Sequence, residues 1–294
     1  MNKFRKKKQI RLRTILSTAK TEYIQWITNP RIIIVFVMLI FIKTIAIEPL
    51  MARADKFGKP LNILEPFIAV SNSGQLLMLI PAVFLILMSD FPMISGNTLF
   101  FIKRTGRMNW MFGQILFAVM SIITYITTVM SVTILFSVGN SYWSSNWSEV
   151  IRLYDIKFPN ERDSFVSDLI PSNLYNQLDI LPTLLHTFLL LVFYLLVLCM
   201  ILFIFKMLQL RGAGLFAGIS VIAIGVVTTS SRTSPMWLFP MANTIIWVHY
   251  TKIFSEPIKP VWYSYLYFIL LIGALITVAY MVLKKANFYS VEDV

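Results

Sequence analysis

The chain has 294 residues, of which 57% are hydrophobic and 14% are charged, and its formal net charge is +12. Soluble domains carry about 25% charged residues, so this composition excludes an ordinary soluble fold and indicates an integral membrane protein. Its two histidines form no HExxH-type zinc motif, and neither GxxxxGK[ST] nor GxSxG occurs. We therefore expect a protein that is not an enzyme and that binds no cofactor or metal itself.

The N-terminal region is strongly basic, with nine Lys or Arg among its first 31 residues. Its apolar residues recur every three to four positions, which predicts one apolar face on a helix. They are Leu12, Ile15, Leu16, Ala19, Tyr23, Trp26 and Ile27. Pro30 ends this helix. A basic amphipathic helix within residues 1–30 is typical of one lying on a membrane surface, and the alternative is a solvated basic tail.

Six apolar runs are long enough to cross a bilayer as helices, which predicts an all-α membrane protein of six spans in one domain. The runs are 32–50, 75–95, 109–137, 180–206, 213–229 and 262–283. The third and fourth exceed the bilayer thickness, so we expect them to tilt or project. Cys199, the only cysteine, lies within the fourth run, where we expect it to be a packing residue.

The distribution of Lys and Arg predicts the orientation of these spans. With six spans the two termini share one side, which carries a net charge of +12, whereas the other side carries −1. The positive side is expected to be cytoplasmic, so both termini are predicted there. Anionic lipid headgroups account for this charge, and a nucleic-acid partner is not required.

The predicted cytoplasmic loop at 96–110 combines aromatic and basic residues in a short segment. The residues of interest are Phe100, Phe101, Lys103, Arg104, Thr105, Arg107 and Trp110. Aromatic anchors and Arg side chains are the residue types that contribute most to protein–protein interfaces. The alternative is a loop whose charges set topology and whose aromatic residues lie at the membrane interface.

Two predicted extracellular loops are long, 138–179 and 230–261. Within the second, residues 234–254 are apolar and aromatic but are interrupted by Pro235 and Pro240. This pattern predicts a segment before the last span that enters the outer leaflet partway and returns. Irregular backbone at that depth needs protein or water around it.

Within the spans, small and ionisable residues are the candidates for special roles. Gly214 and Gly218 form a GxxxG step and Gly225 falls near the same face, which favours close helix packing, within the chain or between two copies. The ionisable residues are Lys43, Asp90 and His186. Such residues are functional candidates by default, although structural roles account for them equally well.

The layout resembles the permease subunit of type-2 ATP-binding-cassette exporters. The resemblance covers nearly the whole chain, through the basic helix, "TNPRIII" (28–34), "GNTLFFIKRTGRMNW" (96–110) and "SPMWLFPM" (234–241). It implies that 96–110 is a coupling helix that docks on a separate ATPase subunit, where ATP and Mg are bound. It also implies a second permease copy, identical or not, a bacterial plasma membrane, and export of an amphiphilic peptide, lipid or drug. The loop 138–179 is long for the smaller members of this family.

Two other classes of protein remain as alternatives. An ATPase-independent secondary transporter or membrane enzyme predicts polar side chains that face one another at mid-bilayer. The candidates in the third and fourth spans are Gln114, Ser121, Thr124, Tyr125, Thr127, Thr128, Ser131, Thr133, Thr183, His186, Thr187 and Tyr194. A non-transporting membrane scaffold is the other alternative.

Overall fold

The structure is a computed structural model that describes residues 10–94, 102, 104–162, 164–210, 212–251 and 258–285. It is mostly helical. The helices are α1 (Leu12–Ile27), α2 (Pro30–Phe57), α3 (Glu65–Asn72), α4 (Leu79–Leu87), α5 (Arg107–Ser137), α6 (Glu149–Lys157), α7 (Ser172–Tyr175), α8 (Ile180–Met207), α9 (Ala213–Ser230), α10 (Pro240–Thr244) and α11 (Val261–Lys285). Two short strands, β1 (Leu61–Asn62) and β2 (Ser141–Tyr142), pair in parallel.

Five helices are long and apolar enough to cross a membrane: α2, α5 with its extension to Asn140, α8, α9 and α11. The predicted all-α membrane class is confirmed by these helices. The predicted span at 75–95 is instead helical only over α4, Leu79–Leu87, and the preceding helix, α3, ends at Asn72. The break falls at Asn72-Ser73-Gly74, residue types that disfavour a helix interior.

Local sequence explains where α2 begins and ends. The Asn29 side chain accepts a hydrogen bond from the Arg31 amide at 3.0 Å, and Pro30 occupies the first helical position. At the other end Gly58 adopts φ 81° and its amide bonds the Ala54 carbonyl. Between them, Lys43–Ile47 forms a π-helical turn. The helix therefore extends beyond the predicted 32–50.

Contacts between helix ends define two ends of the bundle. At the first, which we call the basic end, Arg31 pairs with Asp90 at 2.6 Å and Arg107 reaches the last turn of α11. At the second, the loop end, β1 pairs with β2 and Asn140 bonds Asp55. Residues 62–90 therefore run from the loop end to the basic end.

The broken helix α3–α4 lies between α5 and α8. The Tyr125 hydroxyl of α5 donates to the Ile80 carbonyl at 2.9 Å, and Asn72 Nδ2 donates to Thr187 Oγ1 of α8 at 2.9 Å. Most of the middle of α8 is buried, including Tyr194 and Phe203. The core of the bundle is therefore built around α8, with α3–α4 packed directly on it.

The outer helices keep broad apolar faces exposed. Exposed apolar residues on α2, α9 and α11 include Ile33, Val37, Ile40, Phe216, Ile219, Val227, Ile269 and Leu270. Broad exposed apolar faces of this kind are expected of helices that lie in lipid.

Helix α1 runs beside the first turns of α5. The Arg11 amide donates to Asn109 Oδ1 at 3.0 Å, and the Tyr23 hydroxyl lies 2.8 Å from Thr124 Oγ1. Asn109 to Thr124 spans about 22 Å at 1.5 Å per residue, so α1 follows α5 lengthwise. The two backbones are close at Gly113, where an added Cβ would lie 2.7 Å from the Thr18 Cβ.

The predicted apolar stripe of α1 divides into two in the structure. Ile15, Ala19 and Trp26 are buried against the bundle, whereas Leu12 and Leu16 remain exposed beside them. The buried half of the stripe therefore packs against the bundle, and the exposed half forms an apolar surface along α1.

Candidate functional site

The predicted coupling loop joins the end of α4 to the start of α5 at the basic end. Phe100, Phe101 and Lys103 lie outside the described residues. Of the others, residues 102, 104 and 105 are helical, Arg104 is exposed and Thr105 is half-buried. The exposed basic part of this predicted site thus comprises Arg104 and Arg107.

Arg107 ties the loop to the end of the last helix. Its Nη1 donates to the carbonyls of Leu283 at 2.9 Å and Lys284 at 2.7 Å. These carbonyls belong to the last turn of α11, where helical carbonyls have no partner within the helix. A guanidinium at a helix C-terminus also interacts favourably with the helix dipole.

Asn109 connects the same turn to α1. Its Nδ2 donates to the Thr105 carbonyl at 2.8 Å, and its Oδ1 accepts from the Arg11 amide at 3.0 Å. The start of α5 is therefore bonded to both α1 and α11. We call this set of contacts at Arg107 and Asn109 the basic-end junction.

Trp110 is not a surface residue, which corrects the prediction that it forms part of a partner-facing set. Its exposed fraction is 0%, and its ring centroid lies 5.7 Å from that of Phe203. It sits on the first turn of α5 facing α8, so its indole fills the core. Trp110 holds the loop in place from inside the bundle.

The three predicted packing glycines lie at close contacts within the chain. An added Cβ would meet the Phe205 side chain at 3.1 Å from Gly214, the Leu85 side chain at 2.9 Å from Gly218, and the Met241 side chain at 3.0 Å from Gly225. The sequence left open whether these glycines pack against helices of the same chain or against a second copy. The glycine face of α9 is occupied by α8, α4 and residues 239–241, so any contact between copies uses another surface.

The ionisable residues of the predicted spans have separate partners. Lys43 lies 3.4 Å from Glu48 and 5.6 Å from the Phe136 ring centroid, whereas Asp90 pairs with Arg31. His186 Nδ1 lies 2.8 Å from the Tyr265 hydroxyl on α11. These contacts join helices to one another, and Lys43 and Asp90 do not meet.

Four of the twelve polar candidates in the third and fourth predicted spans bond to backbone within their own helix. Thr124, Thr128 and Thr183 each donate to the carbonyl four residues earlier, and Thr133 to the one three residues earlier. Gln114 instead donates to Glu22 of α1 at 3.0 Å. Among the described residues these groups do not converge on one polar cluster, which the alternative of a secondary transporter or membrane enzyme requires.

The Pro-interrupted segment is folded into the bundle at the loop end. Residues 241–246 are all buried, and the segment consists of two 3₁₀ turns, Ser234–Leu238 and Ile246–His249, with α10 between them. Its central part is thus enclosed by protein, whereas Ser234, Pro235 and Leu238 are exposed. The partial entry of the segment into the outer leaflet stays a prediction.

Asn72 fixes this segment to the bundle. Its Oδ1 accepts from the Ile246 amide at 2.9 Å, and its carbonyl accepts from Trp247 Nε1 at 2.8 Å. Its Nδ2 also donates to Thr187 Oγ1. Asn72 lies at the break between α3 and α4, where backbone carbonyls are released from helical bonding. The break therefore provides the polar groups to which the segment is hydrogen-bonded. Hydrophobic periodicity in the sequence does not predict this role.

A second buried network stabilises the segment from the α11 side. Ser264 Oγ donates to Asn243 Oδ1 at 3.0 Å and lies 3.1 Å from His249 Nε2, while His249 Nδ1 lies 2.8 Å from the Lys259 carbonyl. Burial lowers the pKa of His249 to about 4. The imidazole is thus neutral at physiological pH and acts as a hydrogen-bonding bridge.

At the loop end, Glu65 holds β1 and the 138–149 region together. Its carboxylate accepts from the amides of Asn62 and Ser148, at 2.9 and 2.7 Å, and from the Ser148 hydroxyl at 2.9 Å. Burial raises the pKa of Glu65 to about 7, although these three donors act in the opposite direction.

Arg53, at the outer end of α2, organises the neighbouring loop. It lies 3.7 Å from Asp155, donates to Ser164 and Ser167, and stacks 4.6 Å from the Tyr154 ring centroid. In the part of the chain that the structure describes, no group of three or more His, Cys, Asp or Glu side chains is placed to hold a metal ion.

Comparisons with protein-family models, curated proteins and solved structures gave no match to this chain. The functional proposal therefore depends on the residues and contacts described above.

Proposed function

We propose that this chain is the membrane permease subunit of an ATP-driven exporter that moves an amphiphilic substrate, a peptide, lipid or drug, out of the cytoplasm. ATP and Mg are bound by a separate ATPase subunit, and a second permease copy completes the transporter. The chain lies in a bacterial plasma membrane with both termini cytoplasmic. The basic end is the cytoplasmic face, since it carries the excess of Lys and Arg.

In this proposal residues 67–88 form the second of six crossings, interrupted at the break after Asn72. Two observations support it: this stretch begins near β1 at the loop end and finishes near Arg31 at the basic end. Helix α5 with its extension has 34 residues, about 51 Å, against a hydrocarbon core of about 30 Å. Because α5 is longer than the hydrocarbon core is thick, its first turns, which lie beside α1, are placed at the inner membrane surface.

The main structural support for the proposal is the set of contacts at the basic-end junction. A permease without its own nucleotide site must receive work through contact with the ATPase. Arg107 bonds the end of α11, and Asn109 bonds the start of α1, so movement of the loop is passed directly to helices at both ends of the chain. Arg104 stands exposed one turn before this junction, where a partner can reach it.

Purification from native membranes in mild detergent tests this proposal. We expect a stoichiometric ATP-binding chain to co-purify with the wild type. Phe101→Ala and Arg104→Ala should each weaken association about 30-fold, since truncating an interface anchor costs about 2 kcal/mol or more. Arg104→Lys should be partly defective, because an ammonium lacks the planar guanidinium fork.

Lys20→Ala is the matched control, because Lys20 is also an exposed basic residue but lies on α1 nine residues beyond Arg11, about 14 Å farther along the helix. Absence of an ATPase from the wild-type preparation would favour a secondary transporter, membrane enzyme or scaffold. Equal ATPase recovery from wild type and the Arg104→Ala variant would remove the coupling role of the loop.

A further inference from the structure

A cavity of about 590 Å³ opens at the loop end, between the end of α9, the 234–250 segment and the region just before α11. Small-molecule sites usually occupy about 300–1,000 Å³. Two indole rings line it, those of Trp237 and Trp247, together with the basic side chains Arg232 and Lys259. Among the described residues that line the cavity, none is acidic.

Aromatic rings hold both cations in place. The Arg232 guanidinium lies 5.7 Å from the Trp247 ring centroid, and Lys259 Nζ lies 4.9 Å from that of Trp237. Neither cation forms an ion pair with a carboxylate elsewhere in the described ranges. The cavity therefore presents two positive charges and two apolar ring systems together.

The backbone at the end of α9 positions Arg232 in an unusual way. Arg232 has φ 47°, its amide bonds the Thr229 carbonyl at 3.2 Å, and the Thr233 amide bonds the Thr228 carbonyl at 3.2 Å. This is the helix-ending geometry in which glycine is the usual residue. A non-glycine residue there is under backbone strain, which is concentrated at functional sites in proteins.

Two buried polar atoms in the lining have no hydrogen-bond partner. They are Asn173 Oδ1 and Thr229 Oγ1, on residues that are 4% and 6% exposed. The Asn173 amide is fixed in orientation, because its Nδ2 donates to the carbonyls of Trp247 at 2.7 Å and Tyr250 at 3.1 Å. Its Oδ1 can therefore only accept, and a buried acceptor without a donor is costly.

We propose that this cavity binds a phosphate-bearing headgroup that also carries a hydroxyl or ammonium donor, as in a glycerophosphate. The phosphate oxygens accept charge-assisted hydrogen bonds from Arg232 and Lys259. The donor on the same ligand satisfies Asn173 Oδ1, and the indole faces contact its apolar part. Such a ligand comes either from the lipid leaflet at this end or from solution. The inference does not depend on the proposed export function.

Calorimetric titration of the purified full chain, without any ATPase, tests this site. The probes are dihexanoyl phosphatidylglycerol, glycerol 1-phosphate and dihexanoyl phosphatidylmethanol, the last having the same phosphate charge as the phosphatidylglycerol but no hydrogen-bond donor. We expect the phosphatidylglycerol to bind at least about tenfold more tightly than the phosphatidylmethanol. Glycerol 1-phosphate binding as tightly as the phosphatidylglycerol identifies a soluble ligand, and much weaker binding identifies a lipid.

Three variants examine the side chains. Arg232→Gly suits the left-handed backbone, and Lys259→Met keeps an apolar stem on Trp237, so both preserve the fold while removing charge. Each should weaken phosphatidylglycerol binding at least about tenfold. Lys157→Gln is the control, since Lys157 also lies over an aromatic ring, 4.6 Å from the Phe57 centroid, but outside the cavity. No phosphatidylglycerol binding, equal binding of the two lipids, or unchanged binding in both charge-removing variants would overturn the proposal.

Discussion

Replacing Gly218 by leucine tests the packing of α9 on the broken helix. The Cβ of the new side chain would lie 2.9 and 3.1 Å from the two methyl carbons of Leu85, closer than carbon atoms approach in folded proteins. Overpacking of this kind costs about 1–3 kcal/mol. For a domain of this size each kcal/mol lowers the melting midpoint by about 2–4 °C, so we expect a loss of about 5 °C.

Cys199 provides the assay, since it is the only cysteine and is fully buried. A thiol-reactive dye that fluoresces on labelling reports its exposure as the purified protein is heated in detergent. Gly273→Leu is the matched control: Gly273 also lies in a long apolar helix, α11, but an added Cβ there has no neighbour within 4 Å. The control should melt at the wild-type midpoint or slightly above, because glycine is a poor helix former.

A double-mutant cycle makes the test specific. Leu85→Ala removes the methyl groups that Gly218→Leu would strike, so the double variant should recover part of the loss, with a coupling free energy of about 1 kcal/mol or more. Equal midpoints for Gly218→Leu and Gly273→Leu would refute the close contact between α9 and α4. Additive effects of Gly218→Leu and Leu85→Ala would refute it as well.

Three further predictions concern the two ends of the bundle. Because Glu65 has a raised pKa in the folded state, that state binds more protons between about pH 5 and 7, and the melting midpoint by circular dichroism of the wild type relative to a Glu65→Gln variant should fall as pH rises through this range and then level off; this difference removes the opposite contribution of His249, whose pKa is lowered, Glu149→Gln should show no such difference from the wild type, and a difference between wild type and Glu65→Gln that does not change with pH would contradict the prediction. Arg107→Ala should lower the midpoint by the equivalent of about 1 kcal/mol by leaving the last carbonyls of α11 without their donor, with Arg107→Lys intermediate and Arg13→Ala unchanged; a normal midpoint in Arg107→Ala would exclude that role. In a Cys199→Ala background, an impermeant thiol reagent added to intact cells should label a cysteine at Ser144 but not one at Lys8 or Lys285, and the reverse pattern would overturn the orientation.

Long apolar runs allowed four of the five membrane-length helices among the described residues to be predicted closely. The predicted runs 109–137, 180–206, 213–229 and 262–283 differ by at most two residues from the ends of α5, α8, α9 and α11. Such runs specify buried or lipid-facing helices by hydrophobicity alone. The 75–95 run was less accurate, because its helix, α4, covers only Leu79–Leu87. Apolar composition registers neither the break before it at Ser73 and Gly74 nor that α3, with Glu65 and Asn72, continues the same path.

Side-chain directions account for the parts of the site that the sequence did not predict. In the sequence, residues 106–110, "GRMNW", give no sign that their side chains have different surroundings. In the structure, Trp110 points into the core and Arg107 points toward the α11 carbonyls. Asn72 and Asn173 are single polar residues with no recurring pattern around them. Their roles depend on contacts with residues more than 70 positions away in sequence, which only the tertiary structure brings together.

Photocrosslinking from the loop tests the central claim of a coupled ATPase most directly. A photoreactive p-benzoylphenylalanine in place of Arg104 is activated in native membranes, and the crosslinked chain is identified by mass spectrometry. The same group in place of Ser144, a half-buried residue at the loop end, is the control. We predict a crosslink from position 104, and not from position 144, to a separate chain that carries a nucleotide-binding site. Crosslinks from position 104 only to lipid or to this chain itself would contradict the account.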